Sequence, residues 1–290
     1  MSETIPHWLN KQANLAPNQL AIETVDGDAI TFLELKEKSQ SFAKKLAGIG
    51  VTKGSHVGIF STNNISMVVA IHALSYLGAV SVMLNIKLTE EELNYQLSDG
   101  EVSSLLTNDG SKATEMGFSV PVKTFSEIDR LPESELNLQE EIYLDDPFTI
   151  IYTSGTTGFP KGVIHTYGNH WWSAIGSALN LGINAKDKWL AALPIFHVSG
   201  LSIFIRSVIY GMPVYLLEKF DENNVHEAIT TKDVTIVSVV TVMLQRLVTR
   251  LGEDSYPSSF RCMLLGGAQH QNHCWKKQKN AISLFFSPMA

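Results

Sequence analysis

Apolar positions along this chain switch repeatedly between two patterns, short runs rich in branched residues and longer stretches with helical spacing. Trp8, Leu9, Ala13 and Leu15 recur on a helical face within 6–16. Leu20-Ala-Ile-Glu-Thr-Val25 and Ala29-Ile-Thr31 flank Asp26-Gly27, which predicts a hairpin. Thr31 is then placed to cap a helix over 32–49, with Leu33, Leu35, Phe42, Ala43 and Leu46 on its apolar side and Gly50 at its end. Strands are predicted at 56–60, 80–84 and 102–106. Between them fall a helix entered through Ser61-Thr-Asn-Asn64 and another opened by Thr89, whose three following glutamates suit the positive end of a helix. Residues 131–146 are polar and acid-rich and read as a surface connection. Beyond them the pattern predicts strands at 148–152, 188–193, 213–217, 235–240 and 261–265. Helices are predicted at 166–181, 198–210, 222–231 and 243–251. Strand alternating with helix is the signature of an α/β fold, with parallel sheets covered by helices.

Composition narrows the class without changing that picture. At 290 residues, with 44% hydrophobic and 18% charged, the chain has an ordinary globular make-up and length for one large or two modest domains. A net charge of −7 and no basic run argue against nucleic acid as a partner. Cys262 and Cys274 make no disulfide framework, and Met1-Ser-Glu-Thr-Ile5 does not open a secretory signal, so a cytoplasmic location is expected. Met67 to Leu84 approaches the length of a membrane span. His72 and Gly78 interrupt it, which favours a buried helix followed by a strand, and no membrane span is expected. Whether the chain forms a homo-oligomer is left open.

Candidate chemistry concentrates in Thr153-Ser-Gly-Thr-Thr-Gly-Phe-Pro-Lys-Gly162. Four small hydroxyl residues and three glycines in ten positions cannot pack a core, but they can wrap a polyanion with backbone N–H groups and hydroxyls. Lys161 adds a point charge suited to phosphate, and Pro160 stiffens the exit. A Walker A loop is excluded because Lys161 lies between Pro160 and Gly162. The dinucleotide fingerprint is excluded because no glycine stands two residues before Gly155. A flexible linker of the same composition is the competing reading, against which Lys161 and the preceding strand argue.

This string closely resembles the phosphate-binding signature of the adenylate-forming superfamily, which includes acyl-CoA synthetases. The resemblance runs from about Ile5 to Ala268. It implies the large N-terminal domain of those enzymes, with layered sheets flanked by helices, here without their small C-terminal domain. It also implies ATP, Mg²⁺ and CoA as the reagents of an acid–thiol ligase working through an acyl-adenylate. On that resemblance Thr153, Ser154, Gly155, Thr156, Thr157, Gly158 and Lys161 hold nucleotide phosphates, and Gly266 and Gly267 lie against adenine. His197, in Leu193-Pro-Ile-Phe-His197, occupies the family's Pro-x-x-His position and is expected to orient the carboxylate. Taken alone it suits a capping role as well. Lys161 and His197 are thus the candidate catalytic residues, and no protein metal ligands are identified.

Arg206 is unusual between Ile205 and Val208 in an otherwise apolar helix. A buried guanidinium needs an anion, which a neighbouring carboxylate or a bound acid could equally supply. The stretch His197-Val-Ser-Gly-Leu-Ser-Ile-Phe-Ile-Arg206 is similar to the o-succinylbenzoate–CoA ligases of menaquinone biosynthesis. The likeness implies a dicarboxylate substrate held by His197, Ser199, Gly200 and Arg206. A ligase for another acid and a non-catalytic nucleotide-binding remnant are the alternatives.

After Ala268 the texture changes to Gln-His-Gln-Asn-His-Cys-Trp-Lys-Lys-Gln-Lys, which is neither periodic nor like the family. His270 to Trp275 can be encoded so that the frame one base upstream reads Ala-Pro-Lys-Pro-Leu-Leu. Pro288-Met-Ala290 and a TGA stop can likewise read Tyr-Gly-Met followed by a codon that begins with A, as Thr requires in the family's acidic loop. The expectation is a ligase-like part over 1–268 and a frameshifted tail over 269–290, in a truncated chain that does not turn over.

Overall fold

The computed structural model describes residues 3–153, 159–266 and 284–286. In the first half, β1 (Thr4–Pro6) leads to α1 (Trp8–Leu15) and the hairpin β2 (Leu20–Thr24) and β3 (Ala29–Thr31). Then follow α2 (Phe32–Gly48), β4 (His56–Phe60), α3 (Ile65–Leu77), β5 (Val80–Met83), α4 (Glu90–Asp99) and β6 (Ser104–Thr107). Short pieces come next: α5 (Gly110–Glu115), β7 (Val122–Thr124), α6 (Phe125–Asp129) and β8 (Glu141–Tyr143). The middle holds β9 (Pro147–Thr153), β10 (Lys161–Thr166) and α7 (Tyr167–Leu181). The second half runs β11 (Trp189–Ala191), α8 (Val198–Tyr210), β12 (Val214–Leu216), α9 (Glu222–Thr231), β13 (Ile236–Val239), α10 (Thr241–Leu251), β14 (Cys262–Leu265) and β15 (Leu284–Phe286).

Local signals account for most of these ends. Thr31, Thr89, Thr124 and Thr166 each close a capping box on the helix that follows. Asn64 caps α3 by accepting from the Met67 amide, and Gly78 ends it in the left-handed region at φ +66°. The stretch that approached a membrane span is thus a helix and a strand, each buried. No described helix is long and apolar enough to cross a membrane.

Among the described residues the strands form one sheet in the order β10-β9-β5-β4-β6-β7 and another in the order β15-β14-β13-β11-β12-β2-β3. Within these two sheets pairing is parallel except for β10 on β9 and β3 on β2, and β1 pairs antiparallel with β8 apart from them. The main core lies between the sheets. It joins Val57, Ile59 and Phe148 of one to Ile22, Trp189 and Val214 of the other through α1, α2, α3 and α8. Helix α3 is buried from Met67 to Leu77, as its almost unbroken apolar sequence demands of a middle layer. Helices α9 and α10 cover the outer face of the second sheet, and α4 covers that of the first.

Three readings of the sequence need correction. Residues 131–146 are not only a surface connection, since β8 pairs with β1 and Ile142 and Leu144 are buried. A three-residue strand with one inward side chain is too short to show a period. Lys161 also lies outside any loop, as the first residue of β10. Within 269–290, where no strand is predicted, β15 pairs in parallel with β14.

Candidate active site

The phosphate-loop sequence joins the two strands of a β-hairpin. Thr153 at the end of β9 pairs with Lys161 at the start of β10, so both stand at the mouth of the connection. Ser154, Gly155, Thr156, Thr157 and Gly158 lie outside the described residues, as does Gly267. Both stems are tied to α4. The Tyr152 hydroxyl lies 3.0 Å from the Gln96 carbonyl and 2.8 Å from an Asp99 carboxylate oxygen. On the other stem the Tyr95 hydroxyl donates to the Pro160 carbonyl at 3.4 Å, and the Phe159 ring sits 5.4 Å from that of Tyr95. Burial and the Asp99 charge push the Tyr152 phenol well above its usual range, so it remains a donor. Lys161 is exposed.

From the hairpin the chain passes through Thr166 into α7. A cavity of about 340 Å³ opens between α7, α8 and the ends of β13 and β14. Asn169, His170 and Ser173 face it from α7, and Ser199, Ser202, Ile205 and Arg206 from α8. Spacings of three and four put each set on one side of its helix. His165, Ser238, Leu264 and Gly266 complete much of the wall, and no Asp or Glu lines it among the described residues. The Gly266 amide donates to the Val239 carbonyl at 3.0 Å, which fixes the strand ends together.

Arg206 gives this cavity its charge. One terminal nitrogen, Nη2, donates to Ser173 Oγ at 3.2 Å, and the guanidinium stacks 5.6 Å above the buried Trp189 ring. Its Nε is buried and has no acceptor, and no ion pair forms to it among the described residues. Burial lowers its pKa, with the Tyr210 phenol opposing the change. Of the two anions the sequence allowed, a neighbouring carboxylate is therefore not the one seen among the described residues.

The remaining predicted residues separate. Ser199 and Gly266 line the cavity; His197 and Gly200 do not. His197 is exposed in the turn that enters α8, its ring 4.6 Å from that of Phe196. Burial of part of the ring and the charge of Lys87 lower its pKa. Gly200 is a packing position, because a Cβ there would stand 2.1 Å from the Pro194 carbonyl oxygen. Sequence reasoning missed His165, Asn169, His170, Ser173, Ser202 and Ser238. A polar stripe at 166, 169, 170 and 173 in the predicted helix was the available signal.

Among the described residues no group of three or more His, Cys, Asp or Glu side chains could hold a metal ion. Of the predicted nucleotide-binding residues that are described, Thr153 and Lys161 face each other at the hairpin mouth and Gly266 lines the cavity.

A profile of the family described as AMP-binding enzyme matches residues 9–284. The 2-succinylbenzoate–CoA ligase of Oceanobacillus iheyensis is 56% identical over 269 residues, covering 92% of this chain and 56% of that protein. The chain thus spans about half the length of the curated relatives it matches. Two solved structures of the o-succinylbenzoate CoA synthetase of Bacillus subtilis are also similar. The complex with ATP and magnesium ion superposes with a TM-score of 0.93 at 38% identity, covering 98% of this chain and 60% of that one. The complex with the acyl-adenylate intermediate gives 0.87 at 41%, covering 92% and 54%.

Proposed function

This chain belongs to the AMP-binding enzyme family, and from that premise we propose that it is the larger part of an ATP-dependent acid–CoA ligase whose acid is o-succinylbenzoate. The observation that carries the choice of acid is Arg206, a guanidinium facing a cavity that no carboxylate lines among the described residues. A monocarboxylate would leave that cation without an anion. A dicarboxylate supplies one and keeps its other carboxylate free to react. The names of the similar ligases support the same acid.

In this reading ATP supplies the electrophilic α-phosphate and CoA the thiol that takes up the acyl group. Lys161 and Thr153, paired at the hairpin mouth, hold phosphate oxygens and offset the charge that develops there. Arg206, aligned by Ser173 and Trp189, fixes one end of the acid, so that its reactive carboxylate is held in a single orientation. The apolar atoms of Leu193, Val198, Ile205 and Val239 exclude water from the acid's body. His197 stands beside this pocket, at the turn entering α8, and acts as an outer residue at its entrance.

The test is binding of o-succinylbenzoate and of 4-oxo-4-phenylbutanoate, which lacks the ring carboxylate. The chain should prefer the diacid, and Arg206→Leu should remove that preference at a cost of about 1.5–3 kcal/mol. Equal binding of the two acids by the unmodified chain would sink this choice of substrate. The division at Ala268 is part of the same proposal, with residues 269–290 read out of frame and the chain inactive in turnover. The family match itself runs on to residue 284. Sequencing the encoding DNA, with an acyl-CoA assay of the purified chain, decides it. An uninterrupted upstream frame that does not lead into a Glu, or measurable turnover, would overturn it.

A further inference from the structure

We propose that His170 is a second receptor for the acid's distal carboxylate, donating a hydrogen bond from Nδ1 because Thr149 fixes the ring proton there. This rests on the cavity being the acid's pocket and deepens that reading.

Arg206 supplies the charge that holds the carboxylate, and part of its hydrogen-bonding capacity is already committed. One of its terminal nitrogens is turned to Ser173, and its ring-stacked face is turned to Trp189. A second donor at an angle would fix the anion. His170 lines the same cavity, is 5% exposed, and has Nε2 3.0 Å from Thr149 Oγ1. Thr149 is fully buried in β9, and its hydroxyl has no other partner among the described residues.

Hydrogen-bond accounting then chooses the tautomer. A hydroxyl has one proton to give, and a neutral imidazole has one N–H and one acceptor nitrogen. If Nε2–H donated to Thr149, the hydroxyl proton would be buried with no acceptor, which folded proteins avoid. If Thr149 donates to Nε2, both groups are satisfied and the ring carries its proton on Nδ1. That nitrogen is the one left for a bound molecule. Burial, the His165 ring 5.6 Å away and the Arg206 charge together push the His170 pKa down to about 3. The ring therefore contributes direction and Arg206 contributes charge. A second cation beside Arg206 would gain little and would repel it, and the site avoids that cost.

Asn and Gln separate the two ring nitrogens, because an Asn amide occupies the place of Nδ1 and a Gln amide that of Nε2. Calorimetric binding to the full chain should show His170→Gln losing about tenfold or more of the preference for o-succinylbenzoate over 4-oxo-4-phenylbutanoate. His170→Asn should keep most of it. Nitrogen-15 spectra should place the proton on Nδ1 in the unmodified chain, and Thr149→Val should release it to exchange between the two nitrogens. A proton found on Nε2, or a His170→Gln chain that melts normally and keeps the full preference, overturns the assignment. Should His170→Gln not fold, the spectrum and the His170→Asn binding decide. Loss of preference in Arg206→Leu but not in His170→Gln removes only this residue's role. If neither variant changes the ratio, or the unmodified chain binds neither acid, the reading of the pocket falls and this inference falls with it.

Discussion

Single residues carry both the chemistry and the pH response of this molecule. Lys161 is exposed at the mouth of the hairpin, so removing its charge should cost nucleotide affinity without touching the core. Lys161→Ala is expected to weaken ATP binding by about tenfold or more and to leave the melting temperature unchanged. A fall in melting temperature would assign the residue a structural role instead. Buried histidines behave differently. Burial and the neighbouring His72 push the His7 pKa down to about 3, and burial pushes His72 down to about 4. His7 is stacked on Tyr76 at 3.9 Å and bonded to Ser75, and His72 Nε2 has no partner among the described residues. Both rings are neutral when folded and free to take a proton when unfolded. Their stabilising effect is therefore complete above about pH 6.5 and is lost as pH falls from there toward 4 and then 3. The slope is about 1.4 kcal/mol per pH unit for each ring. Urea titrations from pH 7 to 5 should show it, and His72→Leu should remove about one ring's share.

At the scale of elements, the site depends on how closely α8 approaches the turn before it. Gly200 lets the helix start against the Pro194 and Leu193 carbonyls, and a Cβ would meet the first at 2.1 Å and the second at 2.8 Å. Ala has better helix propensity than Gly, a gain of about 1 kcal/mol. Overpacking against backbone outweighs it, so Gly200→Ala should destabilise by a net amount of about 1–3 kcal/mol. It should also weaken binding of the acid, because Ser199, Ser202 and Arg206 move with the helix. Thermal melting together with binding checks this, and a stabilised variant would show that the turn yields. The hairpin stems illustrate how little of such placement is visible beforehand. Phe148 to Tyr152 reads as a strand because its side chains are apolar. The strand Lys161–Thr166 does not, because it is an outer strand with Val163 and Ile164 exposed.

Across the whole molecule, the two sheets pack their inner faces on the same buried helices, α1, α2, α3 and α8. Leu74 of α3 is fully buried in that layer. Leu74→Ala should cost about 2–5 kcal/mol, and the near- and far-ultraviolet signals should still melt together. Separate transitions would mean that the sheets unfold independently. Much of this architecture was legible in the chain. Capping threonines, terminal glycines and alternating periods depend on neighbours a few residues apart, and they placed α2, α3, α4, α7 and α8 close to where they lie. The phosphate-loop string and Arg206 were legible for the same reason, since each is conspicuous within its own segment. The make-up of the cavity was not. His165, His170, Ser173 and Ser238 come from three elements, and beyond the polar stripe of α7 nothing within a segment says which side chains will share a wall. His197 shows the converse, a residue singled out by its motif that the packing of α8 leaves exposed beside the cavity. Local sequence determined the elements and the charge of the site. Only the stacking of α7 and α8 across the ends of β13 and β14 decided which groups surround that charge, because burial and hydrogen-bond partners are properties of the assembled layers.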